Sequence, residues 1–480
     1  MLAGTNHRVI QGGMGVAVSG WRLAAVVSRL GQLGVVAGTA LGVILARALQ
    51  DGDAGGHRRR ALEAFPDQAV AARILERYYL AGGRGADQSY RAVPIPRCQA
   101  SRQFLELTVA GSFVEVFLAK EGHDGEVGIN LLEKIQLPTL PALYGAMLAG
   151  VDWVLMGAGI PTYIPSAIDA LAEQTPFALP LAVVGATSSD SYTVGFDPSR
   201  IFAPPPKPIA RPRFLAIVGS HVLAAHLARS EAARPSGFVV EAPIAGGHNA
   251  PPRGRLQLDA TGEPIYGERD DVDLERMRAL DIPFWLAGGY AHPQKLREAL
   301  DEGAAGVQVG TAFALCEESG LDPHLKQLAR ERAAAGRLEI RTDPVASPTG
   351  YPFKVAKLPG TVAERSVYEA RERRCDLSYL TTLYRRPDGR VGYRCPAEPI
   401  EDYLEKGGEA SDTVDRVCLC NSLVATAGAP QHRRGLGIEP PIVTLGDDAC
   451  AVAAALSPDG RPYGAEAVIR YLLGESAAAA

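Results

Sequence analysis

Eight short apolar runs, punctuated by glycine, proline and charge, constrain this chain more than any other feature. They are His7–Ile10, Leu33–Ala37, Val127–Leu131, Trp153–Met156, Phe214–Val218, Phe238–Val240, Phe284–Ala287 and Gly306–Val309. A strand covered on both faces reads as such a continuous run, because helices pack on either side of a parallel sheet. Amphipathic stretches such as Thr139–Gly150 and Pro293–Gly303 lie between several of the runs. Eight β/α repeats predict an α/β fold closed into a (β/α)8 TIM barrel, rather than an open sheet.

Three segments exceed the minimal repeat. Residues 51–112 are charged and read as helical, with a Gly-rich break at Gly82-Gly83-Arg84-Gly85. Residues 178–213 read as a hairpin, "LPLAVVGA" then "SYTVGF", followed by the Pro-rich crossing "APPPKPIARP". After about residue 345 the chain turns proline-rich and carries most of its cysteines. The expected plan is therefore a barrel over 1–345 with two insertions, and a Cys-containing extension or cap over 346–480. The closing alanines are expected to fray.

Composition narrows the partners. A net charge of −5 weighs against nucleic acid or an anionic membrane, both of which call for a basic face. The run His57-Arg58-Arg59-Arg60 reads as a solvated helix start. The uncharged stretch between Arg29 and Arg47 is glycine-interrupted and shorter than the roughly 20 residues of a membrane span, so it reads as a strand and a helix. No secretory signal is apparent, and seven widely spaced cysteines do not form a secreted disulfide pattern; a reducing cytoplasm is expected.

Active sites of such barrels sit at the C-terminal strand ends, and several ends here carry distinctive chemistry. In "VIQGGMG" (Val9–Gly15), Gly13 and Gly15 let backbone approach a flat ligand, and Met14 offers a polarizable neighbour to an aromatic ring. A tight turn with a core methionine fits the same residues. In "GINLLEK", Asn130 lies within a buried run, where an amide needs partners from either a ligand or the protein. Gly288-Gly289 and Gly310-Thr311 end two successive strands one helix apart; small residues with free amides there suit a phosphate. In "EAPIAGGHNAPPRG", Gly246 and Gly247 allow close packing against a ligand and Pro251-Pro252 stiffen the exit. His248, held in that loop, is the candidate general acid or base. His221 and His226 read as structural residues of a helix after Ser220.

The motifs "IQGGMG", "GINLLEK", "EAPIAGGHN", "LAGGYA" and "GVQVGTAF", spanning residues 8 to about 320, resemble in order those of the nitronate monooxygenase family, formerly 2-nitropropane dioxygenases. Its superfamily includes flavin-dependent enoyl-ACP reductases. The resemblance implies an FMN-binding barrel. Gly288, Gly289, Gln308, Val309, Gly310 and Thr311 would hold the phosphate and nearby atoms. Asn130, Gly246 and Gly247 would adjoin the cofactor, Gly13, Met14 and Gly15 would line its ring, and His248 falls on the family's catalytic histidine. The sequence departs from the family pattern at Glu241, where glutamine is common, and at Asn249-Ala250-Pro251-Pro252, where glycine is usual soon after the histidine.

Cys375, Cys395, Cys418 and Cys420 fall in "RRCDLS", "YRCPAE" and "VCLCNS". Four thiolates there can bind zinc or an iron–sulfur cluster, or pack as free thiols in a cap. Cys98, Cys316 and Cys450 read as core residues.

The first functional expectation is an FMN-dependent oxidoreductase that oxidises a nitronate or nitroalkane with oxygen. The alternative is an NAD(P)H-dependent flavin reductase of enoyl thioesters or quinones, as a component of a fatty-acid or polyketide synthase system. A third is a non-catalytic member of such a complex. Either a homodimer or a synthase partner is compatible with the sequence.

Overall fold

The structure is a computed structural model that describes residues 7–202 and 208–475. Residues 203–207 of the Pro-rich crossing, and the closing alanines, lie outside the described residues. Each of the eight apolar runs coincides with a strand: β1 (Val9–Gln11), β2 (Leu33–Ala37), β3 (Val127–Leu132), β4 (Trp153–Gly157), β5 (Arg213–Val218), β6 (Gly237–Glu241), β7 (Phe284–Ala287) and β8 (Gly306–Val309). All pair in parallel, and the ring closes where Ile10 of β1 lies opposite Gln308 of β8 on one side and Leu33 of β2 on the other. The fold is a closed (β/α)8 barrel.

Two tryptophans help to fill the barrel. Trp153 on β4 and Trp285 on β7 are buried with Ile10, Leu33, Val35, Leu155, Leu215 and Val239. A buried indole needs a partner for its N–H. Trp285 Nε1 donates to the His7 carbonyl at 2.8 Å, and Trp153 Nε1 to Glu126 Oε2 at 2.7 Å. Glu126 also lies 2.7 Å from His7 Nε2. Gly237 on β6 makes room for this packing: a Cβ there would lie 3.0 Å from the Trp285 ring. These contacts gather at the strand starts, which leaves the strand ends to the cavity.

The first insertion holds helices His57–Glu63 and Gln68–Tyr78, then an irregular stretch. The next helix, Arg102–Lys120, begins inside the range expected to be insertion. It is buried along most of its length and packs on Leu41–Gln50 and Thr139–Leu148, so it belongs to the helical ring. Its apolar residues run all round rather than along one stripe, as burial on several sides requires. The expected hairpin forms between Phe177–Pro180 and Thr193–Phe196.

Past residue 345 the chain keeps packing on the barrel. The antiparallel pair Ile340–Asp343 and Phe353–Ala356 joins it to the strand ends. Helix Ala449–Leu456 packs on Pro323–Ala334. The last helix, Ala465–Leu473, buries Val468, Ile469 and Leu472 against Trp21–Arg29 and Pro293–Asp301, the helices that follow β1 and β7. The end of the chain thereby fills the place in the ring between them. No helix among the described residues is long and apolar enough to cross a membrane.

Candidate active site

The C-terminal strand ends open into one cavity of ≈ 1580 Å³, counting the part open to solvent. Gly12–Gly15, Asn130, Glu241, Gly246–His248, Gly288–Tyr290 and Gln308–Thr311 all line it. Every cofactor-facing residue expected from the sequence is therefore brought to one place.

The loop after β1 is rigidly held. Gly12 N donates to the Val309 carbonyl at 2.9 Å, tying it to β8. Ser19 Oγ donates to the Gly12 carbonyl and accepts from Met14 N, each at 2.9 Å. The buried Gln11 amide donates to Ser19 Oγ at 2.9 Å. Gly13 is required by close approach, since a Cβ there would lie 2.3 Å from Asn130 Cβ.

Two polar atoms of the wall lack partners. Asn130 Nδ2 reaches the Gly13 carbonyl at 3.5 Å, but its Oδ1 is buried without a hydrogen bond, as is Gln308 Oε1. A buried amide oxygen left unpaired costs about 1–3 kcal/mol. Both side chains belong to the cavity wall, where an amide can meet a ligand's polar edge. Beside them, Gly288 (φ 90°) and Gly289 (φ 76°) take left-handed conformations that glycine adopts freely, baring backbone at the end of β7.

His248 is fixed from the far end of the chain. The Gly247 carbonyl accepts from Lys354 N, and Asn249 N donates to the Pro352 carbonyl, both at 2.9 Å, so the loop pairs with Phe353 as a short antiparallel bridge. Gly247 N donates to Thr444 Oγ1 at 2.7 Å. His248 Nε2 lies 2.7 Å from Ser347 Oγ, and the imidazole meets the Phe353 ring edge-on at 4.9 Å. Burial pushes the imidazole pKa down to about 4, so it is neutral at pH 7. Burial acts oppositely on Glu241, pushing its carboxyl up to about 7. Both groups face cavity space shielded from bulk water.

The sequence reading missed the tail's share of this wall. Leu377, Tyr379, Leu380, Leu419, Cys420, Leu423 and Thr444–Gly446 line the cavity, as does Asp448. Gly446 N donates to Thr311 Oγ1 at 2.8 Å, so Thr311 also anchors the tail. Burial pushes the Asp448 carboxyl pKa up from its ordinary value. Short apolar clusters such as "LSYL" and "CLCNSL" carry no strand or loop signature that would aim them here. A second space of ≈ 920 Å³, lined by Arg253, Tyr266, Asp270 and Tyr351, meets the first at Glu241 and His248.

The four tail cysteines do converge, with Cys375, Cys395, Cys418 and Cys420 lining one small cavity. Among the described residues, however, no group of three or more His, Cys, Asp or Glu side chains is arranged to hold a metal ion, which leaves both the zinc and the iron–sulfur expectation without a ligand set. Of the cysteines expected in the core, Cys316 is buried, whereas Cys98 and Cys450 are half-buried.

Residues 199–344 match the family model described as nitronate monooxygenase. The chain is 34% identical over 145 residues to the nitronate monooxygenase of Pseudomonas aeruginosa, covering 29% of this chain and 39% of the relative. It is 37% identical over 89 residues to a probable nitronate monooxygenase of Bacillus subtilis, covering 18% and 24%. The matches thus span well under half of either relative. Among solved structures, it is similar to FabK from Thermotoga maritima (17% identity, TM-score 0.47, 98% of this chain and 92% of that one). A second is nitroalkane oxidase from Streptomyces ansochromogenes (15%, 0.47, 98% and 95%).

Proposed function

We propose that the cavity holds FMN and that the protein is a flavin-dependent oxidoreductase of a nitronate or nitroalkane; the match of residues 199–344 to the nitronate monooxygenase family model supports this reading. The observation that carries this reading is the gathering of Asn130 and Gln308, whose amide oxygens lack partners, with Met14 and the glycines of the strand ends in one cavity wall. A flat heteroaromatic ring with N–H groups on its edge satisfies both features at once. Asn130, Gln308, Gly13, Met14 and Gly15 would hold the ring, and the ends of β7 and β8 the phosphate. Gly246 and Gly247 would close the remaining side.

FMN, when bound, supplies the electron acceptor, which oxygen regenerates. The rest falls to this chain's own residues. His248, neutral at pH 7, is free to take the proton from the carbon next to a nitro group, or to hold the nitronate formed without it. Ser347 and Phe353 fix the imidazole for that task. Glu241, protonated over part of the neutral range, can donate a hydrogen bond in the same space.

The reading is tested by the absorption spectrum of the purified protein before and after heat release of the chromophore. Released flavin, bleached by a nitronate without pyridine nucleotide, is the expected result. A colourless protein that does not take up FMN refutes it. The space beyond Glu241 and His248 favours a second reading, since a small nitronate does not need it. A longer substrate such as an enoyl thioester would use that space, and NADH or NADPH would then bleach the flavin.

A further inference from the structure

The wall of the main cavity has two unlike halves. One is built of strand-end glycines with Met14, Asn130 and Gln308. The other is aliphatic, and much of it comes from beyond residue 345, where Phe353, Leu377, Leu380, Leu419 and Leu423 line the space. Val16, Ala40, Leu132 and Ile135, at or just past the ends of β1, β2 and β3, complete it. Both sets belong to a single packed cluster, so this half is one continuous apolar surface.

A short helix shapes the tail's share. Leu419–Thr426 turns Leu419 and Leu423 onto the same face, one turn apart. Leu419 is buried, whereas Leu423 and Leu132 stay half-buried although they pack on the cluster. A core closes over its leucines, but these two leave hydrocarbon bare in a cavity wall. Covering such surface is favourable in proportion to its area, so this half of the cavity suits an apolar guest.

The aliphatic wall also reaches the reacting end. Phe353 belongs to it and meets the His248 imidazole edge-on at 4.9 Å. A substrate held at His248 therefore has a hydrocarbon surface leading away from that point. The tail residues that build this surface lie outside the stretch 199–344 that matches the family model.

We propose that the tail makes this half of the cavity a hydrocarbon site, and that the substrate carries an aliphatic chain of several carbons running along Phe353 to Leu380, Leu419 and Leu423. Placing the reactive carbon at His248 rests on the proposed function; binding of the chain follows from the wall itself.

Binding is read first, without turnover. Straight-chain primary alcohols from butanol to decanol displace the apolar fluorescent probe N-phenyl-naphthylamine from the full chain, as purified and after added FMN. Each methylene should tighten binding about fourfold until the site is filled, the transfer value of a buried CH2. Leu423→Asn should flatten that series. Leu404→Asn, on the exposed side of helix Ile400–Glu405, should leave it unchanged. With FMN bound, kcat/KM for straight-chain nitroalkanes from nitroethane to nitrohexane should climb by the same factor per carbon. Should Leu423→Asn fail to fold, the wild-type alcohol series decides by itself. A series without length dependence overturns the proposal. So does one that Leu423→Asn leaves intact, because the chain then binds elsewhere. Alcohols expelled by FMN overturn it too, because the wall then serves the flavin. A chain that takes up no flavin yet shows the length dependence keeps the hydrocarbon site and refutes the flavin reading alone.

Discussion

Glu241→Gln offers the sharpest test of the electrostatics at the strand ends. Burial alone raises this carboxyl to about 7 from an ordinary value near 4.5. In the unfolded chain the proton leaves near 4.5, whereas the folded state keeps it to about 7. Between those values the native state binds more protons, so stability falls as pH rises, and above pH 7 the full cost is present. A displacement of this size corresponds to about 3 kcal/mol. Water reaching the cofactor-free cavity makes that an upper bound. Glutamine keeps the shape and cannot ionise. The variant should therefore match the wild type near pH 4.5 and exceed it by up to about 3 kcal/mol at pH 8.5.

His248 supplies an internal control of opposite sign. Its folded value of about 4 lies below the ordinary 6.5, so its contribution is present above pH 6.5 and lost as pH falls through 4. The two slopes oppose each other between pH 4.5 and 6.5. The wild type should be nearly flat there, and each single variant should expose the slope of the other residue. Urea denaturation of the cofactor-free protein at four pH values, for the wild type, Glu241→Gln and His248→Gln, measures this directly. A Glu241→Gln variant that tracks the wild type at both pH 4.5 and pH 8.5 would refute the reasoning.

Three further outcomes follow from the packing. Gly13→Ala drives a methyl to 2.3 Å from Asn130 Cβ; overpacking costs about 1–3 kcal/mol, so FMN affinity, followed by fluorescence titration, should fall roughly tenfold or more. Ser347→Ala removes the partner of His248 Nε2; turnover should drop about ten- to hundredfold, the equivalent of a lost buried hydrogen bond, with released flavin unchanged. A chain ended at Gly464 loses the burial of Val468, Ile469 and Leu472. At about 1.5–3 kcal/mol each that approaches the whole stability of a domain, so soluble yield and the thermal transition should collapse; an unchanged melt would show that this helix is dispensable to the ring.

Much of the site was legible because its residues belong to strand ends. Gly13, Asn130, Gly246, Gly288 and Gln308 are each attached to an apolar run whose direction and order the barrel fixes. Once the runs were counted, their ends had to meet. His248 was legible for the same reason, two glycines past β6. What holds His248 was not legible. Ser347 lies 99 positions away in "VASPTG", a stretch with no pattern that points to a histidine. The pKa directions of His248 and Glu241 were equally hidden, since burial depends on what the rest of the chain covers.

The cysteines divide in the same way. Their number and irregular spacing allowed a metal site, a cluster or loose thiols. The convergence of three segments on one small cavity is visible only in the fold. The boundaries moved for a related reason. Helix Arg102–Lys120 is apolar on several sides because it packs between neighbours, so it lacked the single stripe that marks a helix lying on a barrel.

By itself, then, the sequence determined the barrel and the glycine-lined strand ends, because both depend on short-range patterns: continuous apolar runs, the length between them, and residues with unusual backbone freedom. Tertiary structure alone decided that residues past 345 wall the cavity, brace His248 and complete the helical ring. Those contacts join positions up to several hundred residues apart, and nothing in a local pattern records which distant surface will exclude water from it.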